Sequence, residues 1–222
     1  MKVFAALLGL VIAALLAPFL LAPEKAAAPQ HSEQNLPWQI ELLPDGRSKV
    51  FGLIPGSSTL ADARRSFGGS TQLAIIAPQN SAASLEAYFE SVTLGTLTGK
   101  AIITLDTTVT ELDLLQARAA KTDYMASGTK KHLLNASDLA AAEQRPIRSI
   151  AFIPAPNLDE QIILQRFGTP AERIRQGETL EHFLYPAQGL DVVLDSKGKE
   201  VLQYVAPARF ASLRDPLVNR GR

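Results

Sequence analysis

The stretch IPAPNLDEQIILQRFGTP, residues 153–170, decides how this chain folds. Asn157 with Glu160 three residues later makes a capping-box-like helix start, and residues 159–167 read as a helix stopped by Gly168-Thr169-Pro170. An apolar strand at 147–153 leads into it. Three strand candidates follow at 179–185, 190–194 and 200–205, separated by turn-rich residues 186–189 and 195–199. The expected unit is a short helix followed by a three-strand antiparallel meander.

The first half of the chain repeats this plan, with IPGSSTLADARRSFGGS at 54–70 as the counterpart. In both halves an Ile-Pro pair (Ile54-Pro55, Ile153-Pro154) leads into a helix ending Phe-Gly (Phe67-Gly68, Phe167-Gly168). Leu60, Ala63, Arg64 and Phe67 fall at i, i+3, i+4 and i+7, one buried stripe if the arginine stem lies along it. Ser57 and Ser58 are placed to cap that helix. Strands are expected at 72–77, 84–92 and 100–105, and the first strand of each half ends in proline, Pro78 and Pro186. Ahead of the first helix, 38–42 alternates apolar and polar, Pro44-Asp45-Gly46-Arg47 is turn chemistry, and 48–53 resumes as a strand. The domain therefore opens with a hairpin. Between the halves lie a helix at 109–121, with Leu112, Leu115 and Ala119 on one face, a strand at 130–134, and a helix at 138–143 begun by Ser137.

The helix, its Phe-Gly-x-Pro stop and the meander together resemble the BamE/SmpA-type envelope proteins. The tandem form resembles proteins of the β-lactamase-inhibitory type, which double a related unit. The likeness runs best through 153–205, carried by residues 159–167, Gly168-Thr169-Pro170 and the hairpin at Asp195-Ser196-Lys197-Gly198. It is more distant over 54–105, where Gly68-Gly69-Ser70 lacks the proline. The resemblance implies an α+β fold and an accessory role in the cell envelope. Single-unit members are acylated on a cysteine, whereas this chain has none and would be held by a helix.

That helix is Val3 to Ala22, twenty residues without a charge that follow Met1-Lys2. At about 1.5 Å rise per residue the run spans about 30 Å, the hydrocarbon core of a bilayer. A helix satisfies its own backbone polar groups there. The lone Lys2 favours a cytoplasmic N-terminus, which makes the chain a single-pass protein of the bacterial inner membrane with its soluble part in the periplasm. The other reading is a signal sequence cleaved near Ala28, releasing the rest to the periplasm.

Lys+Arg and Asp+Glu both number 22, so the formal charge is zero and the basic excess of a nucleic-acid binder is missing. The absence of cysteine removes disulfides, thiol catalysis and thiolate zinc sites. The expected organisation is an anchor or signal sequence at 1–23, a tether at 24–36, a first α+β unit at 37–106 and a helical connector at 107–146. A second α+β unit at 147–207 and a tail at 208–222 follow, the tail's Arg209, Arg214, Arg220 and Arg222 being solvated. The fold class is α+β, two helix-plus-antiparallel-sheet units in tandem behind a transmembrane helix.

No constellation carries chemistry. His31 and His132 read as solvated, and His182 as a partly buried sheet histidine sharing a face with Leu180 and Leu184. Ser127 with Lys130 and Ser196 with Lys199 match Ser-x-x-Lys by spacing, yet both read as turns. Gly56-Ser57-Ser58 reads as a cap rather than an anion site. Glu86 and Glu90 read as a solvated strand face, Asp159 and Glu160 as a helix start, and Asn135-Ala136-Ser137 as a chance sequon. Leu112, Leu114 and Leu115 read as core. No catalytic, cofactor-binding or metal residue is assigned, and neither a cofactor, a metal nor nucleic acid is expected. The reading is a membrane-anchored periplasmic interaction or assembly-accessory protein. The alternative is an envelope enzyme or enzyme inhibitor.

Overall fold

The computed structural model describes residues 35–219. The apolar span Val3 to Ala22, its two readings, His31 and all but the end of the tether lie outside those residues. Among the described residues no helix is long and apolar enough to cross a membrane.

The opening hairpin forms but is short. Strand β1 (Glu41–Leu42) pairs with β2 (Ser48–Lys49) around a turn in which Gly46 takes φ 82°. Pairing stops there because Val50 bridges back to Leu53 and Phe51 adopts φ 56°, a left-handed conformation that a bulky residue rarely takes. The turn drops the Phe51 ring into the core, where it is fully buried. It meets Phe67, Phe152 and Tyr204 at centroid distances of 5.7, 5.5 and 5.2 Å. Leu36, at the end of the expected tether, is buried in the same core.

Helix α1 (Leu60–Phe67) is capped by Thr59, where the sequence suggested Ser57 or Ser58. The Thr59 hydroxyl accepts from the Asp62 N–H, and the Asp62 carboxylate accepts from the Thr59 N–H at 2.7 Å. A carboxylate closing the box satisfies two orphan donors at once, so it wins over a lone serine. Ser58 instead accepts from the Ile54 N–H, holding the loop before the helix.

Strands β3 (Thr71–Ala77), β4 (Ser84–Leu94) and β5 (Leu97–Leu105) form the expected meander. Helix α2 (Val109–Ala117) ends earlier than the sequence suggested, because Lys121–Tyr124 is taken as strand β6 by pairing with β7 (Lys130–Leu133). The segment expected as a helical connector with one strand at 130–134 therefore contributes two strands, along with α3 (Ala136–Glu143). Strand β8 (Ile147–Pro154) precedes α4 (Glu160–Phe167). The cap of α4 is Asp159, whose carboxylate accepts from the Ile162 N–H at 2.7 Å. Asn157 instead accepts from the Lys199 ammonium.

The second sheet half runs β9 (Glu172–Gln176), β10 (Leu180–Tyr185), β11 (Leu190–Asp195) and β12 (Val201–Val205). It has one strand more than the sequence suggested. Counting from the Phe-Gly stops, β9 stands where β3 does, so Pro78 and Pro186 do not end corresponding strands. Of the tail at 208–222, expected to be solvated, Arg220 and Arg222 lie outside the described residues, and the rest contains α5 (Ala211–Asn219), with Arg214 paired to Glu172 at 2.6 Å and Arg209 to Asp106 at 2.9 Å.

Ten strands make one antiparallel sheet in the order β6-β7-β3-β4-β5-β8-β12-β11-β10-β9. The two halves join where β5 pairs with β8, Ala101 opposite Phe152 and Gly99 opposite Pro154. A side chain at Gly99 would put its Cβ 2.5 Å from the Phe152 ring, so only glycine admits this seam. Side chains alternate across the sheet. One face carries Ile75, Leu85, Phe89, Ile103, Ile150, Phe152, Leu202, Tyr204, Val192 and Phe183, all buried in one core with residues of α1, α2, α3 and α4. On the other face α5 covers only the far end, where Phe210, Leu213 and Leu217 pack with Leu184, Val205 and Ile174.

Candidate functional site

The rest of that second face is the candidate site. In β8 half-buried Ser149, Ala151 and Ile153 alternate with buried Ile150, Phe152 and Pro154. Register extends this half-buried row to Ile102 and Thr104 on β5 and to Val201 and Gln203 on β12. Apart from Gln203 these are small or apolar side chains in the middle of a wide sheet, and among the described residues no helix lies over them. Such a surface is unusual on an isolated protein and is the ordinary signature of a covered one.

Toward β7 the same face deepens into a trough of about 350 Å³ lined by Gln72, Ala74, Ile76, Glu86, Tyr88, Ile102, Met125 and Lys131. Ala74 is nearly fully buried and, being small between larger neighbours, forms its floor. Met125, from the turn between β6 and β7, supplies a half-exposed lip. The Lys131 ammonium donates 2.5 Å to the Gln72 side-chain oxygen across the floor. Glu86 accepts from the Ser84 hydroxyl at 2.6 Å.

Beneath α5's end of the face lies a buried hydrogen-bonded pair, His182 Nδ1 to Asp191 Oδ2 at 2.8 Å, with side chains 7% and 2% exposed. Among the described residues His182 Nε2 and Asp191 Oδ1 have no hydrogen-bond partner. Burial pushes the Asp191 carboxyl above its usual range, and the hydrogen bond from His182 opposes that shift. His182 does share its face with Leu180 and Leu184, as alternation requires, and it is buried more deeply than the sequence suggested. His132, expected to be solvated, is also buried, because Thr122 on β6 bonds its Nδ1 at 2.9 Å.

The remaining residues do not converge. Ser127 bonds Thr129, and Lys130 lies 6.0 Å over the Tyr124 ring. Lys199 bonds the Ala155 carbonyl at 2.8 Å, away from Ser196. Asn135 caps α3 through the Ser137 N–H. Leu112 and Leu115 are core, whereas Leu114 is 56% exposed. Among the described residues no group of three or more His, Cys, Asp or Glu could hold a metal ion. Elsewhere, Glu111 is held down to about 2 by the Arg145 guanidinium and by Thr108, whose helix it caps. Tyr185 is pushed up to about 12 by burial, its hydroxyl donating to the Gly168 carbonyl at 2.9 Å.

Comparison with models of known families, with characterised proteins and with solved structures finds no match to this chain. The functional reading therefore rests on the face itself. Its residues were invisible as a group in the sequence because they come from strands far apart in the chain. The sequence marked only the apolar strand at 147–153.

Proposed function

We propose that this chain is an interaction protein of the cell envelope, anchored in the inner membrane by Val3 to Ala22, that docks a partner polypeptide on its uncovered sheet face. The observation that carries this reading is the half-buried row Ile102, Thr104, Ser149, Ala151, Ile153, Val201 and Gln203 across the centre of a ten-stranded sheet. The fitting partner is an amphipathic helix. Within this chain α5 packs on the same face in that manner, with Leu213 and Leu217 one turn apart toward the sheet.

The fold is proposed to be two tandem units of one kind. Both α1 and α4 are eight residues long, both follow a cap at φ −101° and ψ 172°, and both stop at a glycine of positive φ whose N–H bonds four residues back. Their terminal rings, Phe67 and Phe167, are both buried. This agreement of backbone detail supports duplication, as do the Ile-Pro entries and the shared strand that follows each stop. It is also the part of the BamE/SmpA resemblance that the geometry supports best.

The test uses the full chain. A reporter active only outside the cytoplasm, fused after Arg222, should be on, and cytoplasmic activity there would refute the orientation. Ala151→Arg puts a charge in the middle of the face without touching the core. It should abolish copurification of a discrete partner while leaving the unfolding midpoint unchanged. Equal recovery of the partner with the variant would refute docking on this face.

A further inference from the structure

The trough beside β7 goes beyond partner docking and does not depend on it. Its lining is mostly apolar, from Ala74, Ile76, Tyr88, Ile102 and Met125, with Gln72 and Glu86 as its polar wall residues and one ammonium standing across it. Among the described residues no carboxylate lies within 4.0 Å of Lys131 Nζ. Asp123, its neighbour across β6 and β7, is engaged with Lys121 at 2.7 Å, and Glu86 on the far wall is engaged with Ser84. Lys131 is thus a cation held by a neutral amide at an apolar surface, an arrangement complementary to an anion carrying a hydrocarbon chain. At about 350 Å³ the trough is at the small end of the roughly 300–1,000 Å³ of ligand pockets. That suits one alkyl chain and not the two of a membrane phospholipid. Met125 gives the lip the adaptability of an unbranched thioether. We propose that the trough binds a single-chain alkyl carboxylate, its headgroup on Lys131 in place of Gln72 and its chain along Ala74, Ile76 and Ile102.

The test is photo-labelling of the full chain, kept in polymer-excised bilayer discs, with a diazirine-bearing dodecanoate. Label should map to the peptides carrying Ala74, Ile102 or Met125. Unlabelled dodecanoate should compete, and affinity across shorter competitors should rise about fourfold per methylene. Dodecyltrimethylammonium should not compete. Lys131→Glu should lower labelling at least tenfold, and Ala74→Leu, which fills the floor, should lower it similarly. Labelling spread evenly over the chain overturns the proposal. So does equal competition by the ammonium amphiphile, a result read on the unaltered protein and therefore independent of how either variant folds.

Discussion

Phe51 and Tyr204 meet edge to face, their ring centroids 5.2 Å apart, although they belong to opposite halves of the chain. The Tyr204 hydroxyl also donates 2.9 Å to the Pro37 carbonyl, tying the opening segment to the last strand. Both rings are fully buried. The halves therefore share one core and should unfold together. Thermal or denaturant unfolding should show one cooperative transition, unchanged by chelator or reductant. Tyr204→Phe should cost about 1–3 kcal/mol, because it strips a buried carbonyl of its partner. Two resolved transitions would show that the halves are independent.

Phe67 and Phe167 should behave as equivalent anchors. Each closes its helix against the core, Phe67 meeting Phe89 at 5.3 Å and Phe167 meeting Tyr185 at 6.1 Å. Replacing either with alanine should cost about 3–5 kcal/mol. Chemical denaturation of the two variants checks this, and a negligible shift in both would remove the basis for the duplication.

The His182–Asp191 pair should be structural. Removing one member of a buried pair strands the other, at a cost of about 3–5 kcal/mol. His182→Leu alone should therefore be strongly destabilising, and His182→Leu with Asp191→Leu should be clearly less so. If the double variant is as unstable as the sum of the singles, the two side chains do not act as a pair.

Acid should weaken the α2 cap in a defined window. The Glu111 carboxyl is lowered from 4.5 to about 2 by Arg145 and Thr108. A depressed folded value means that its contribution is present above the unfolded value and is lost as pH falls from there through about 2. Glu111→Gln should lower the unfolding midpoint at neutral pH, and the difference from the parent should close as pH falls through that window. A difference independent of pH would remove the ion pair as its cause.

Strand alternation made most of the sheet legible. Its two missed strands have physical reasons. In β9, Arg173 and Arg175 flank a single apolar Ile174, and the strand is held by Arg173 pairing with Glu160 at 2.8 Å and Glu181 at 2.9 Å, partners that no local pattern announces. In β6 no residue is buried, so nothing in the sequence marks it; its pairing with β7 is what buries His132. Helix α5 was hidden by Pro216 within it and by arginines that read as solvent-facing until Glu172 and Asp106 are brought beside them. Of the candidate face, only the apolar strand at 147–153 was visible. The trough was not, because Lys131, Gln72 and Met125 meet only after β7 crosses to pair with β3.

The most direct measurement exploits the absence of cysteine from the chain. Single cysteines placed at Ala151 on the uncovered face and at exposed Gln165 on α4 are labelled with a membrane-impermeant maleimide, in intact spheroplasts and on the purified protein. Docking on the face predicts that Gln165→Cys is labelled in both settings, whereas Ala151→Cys is labelled when purified and protected in the cell. Equal labelling of Ala151→Cys in the two settings would contradict an occupied face, and failure of Gln165→Cys to label in spheroplasts would contradict its location outside the membrane.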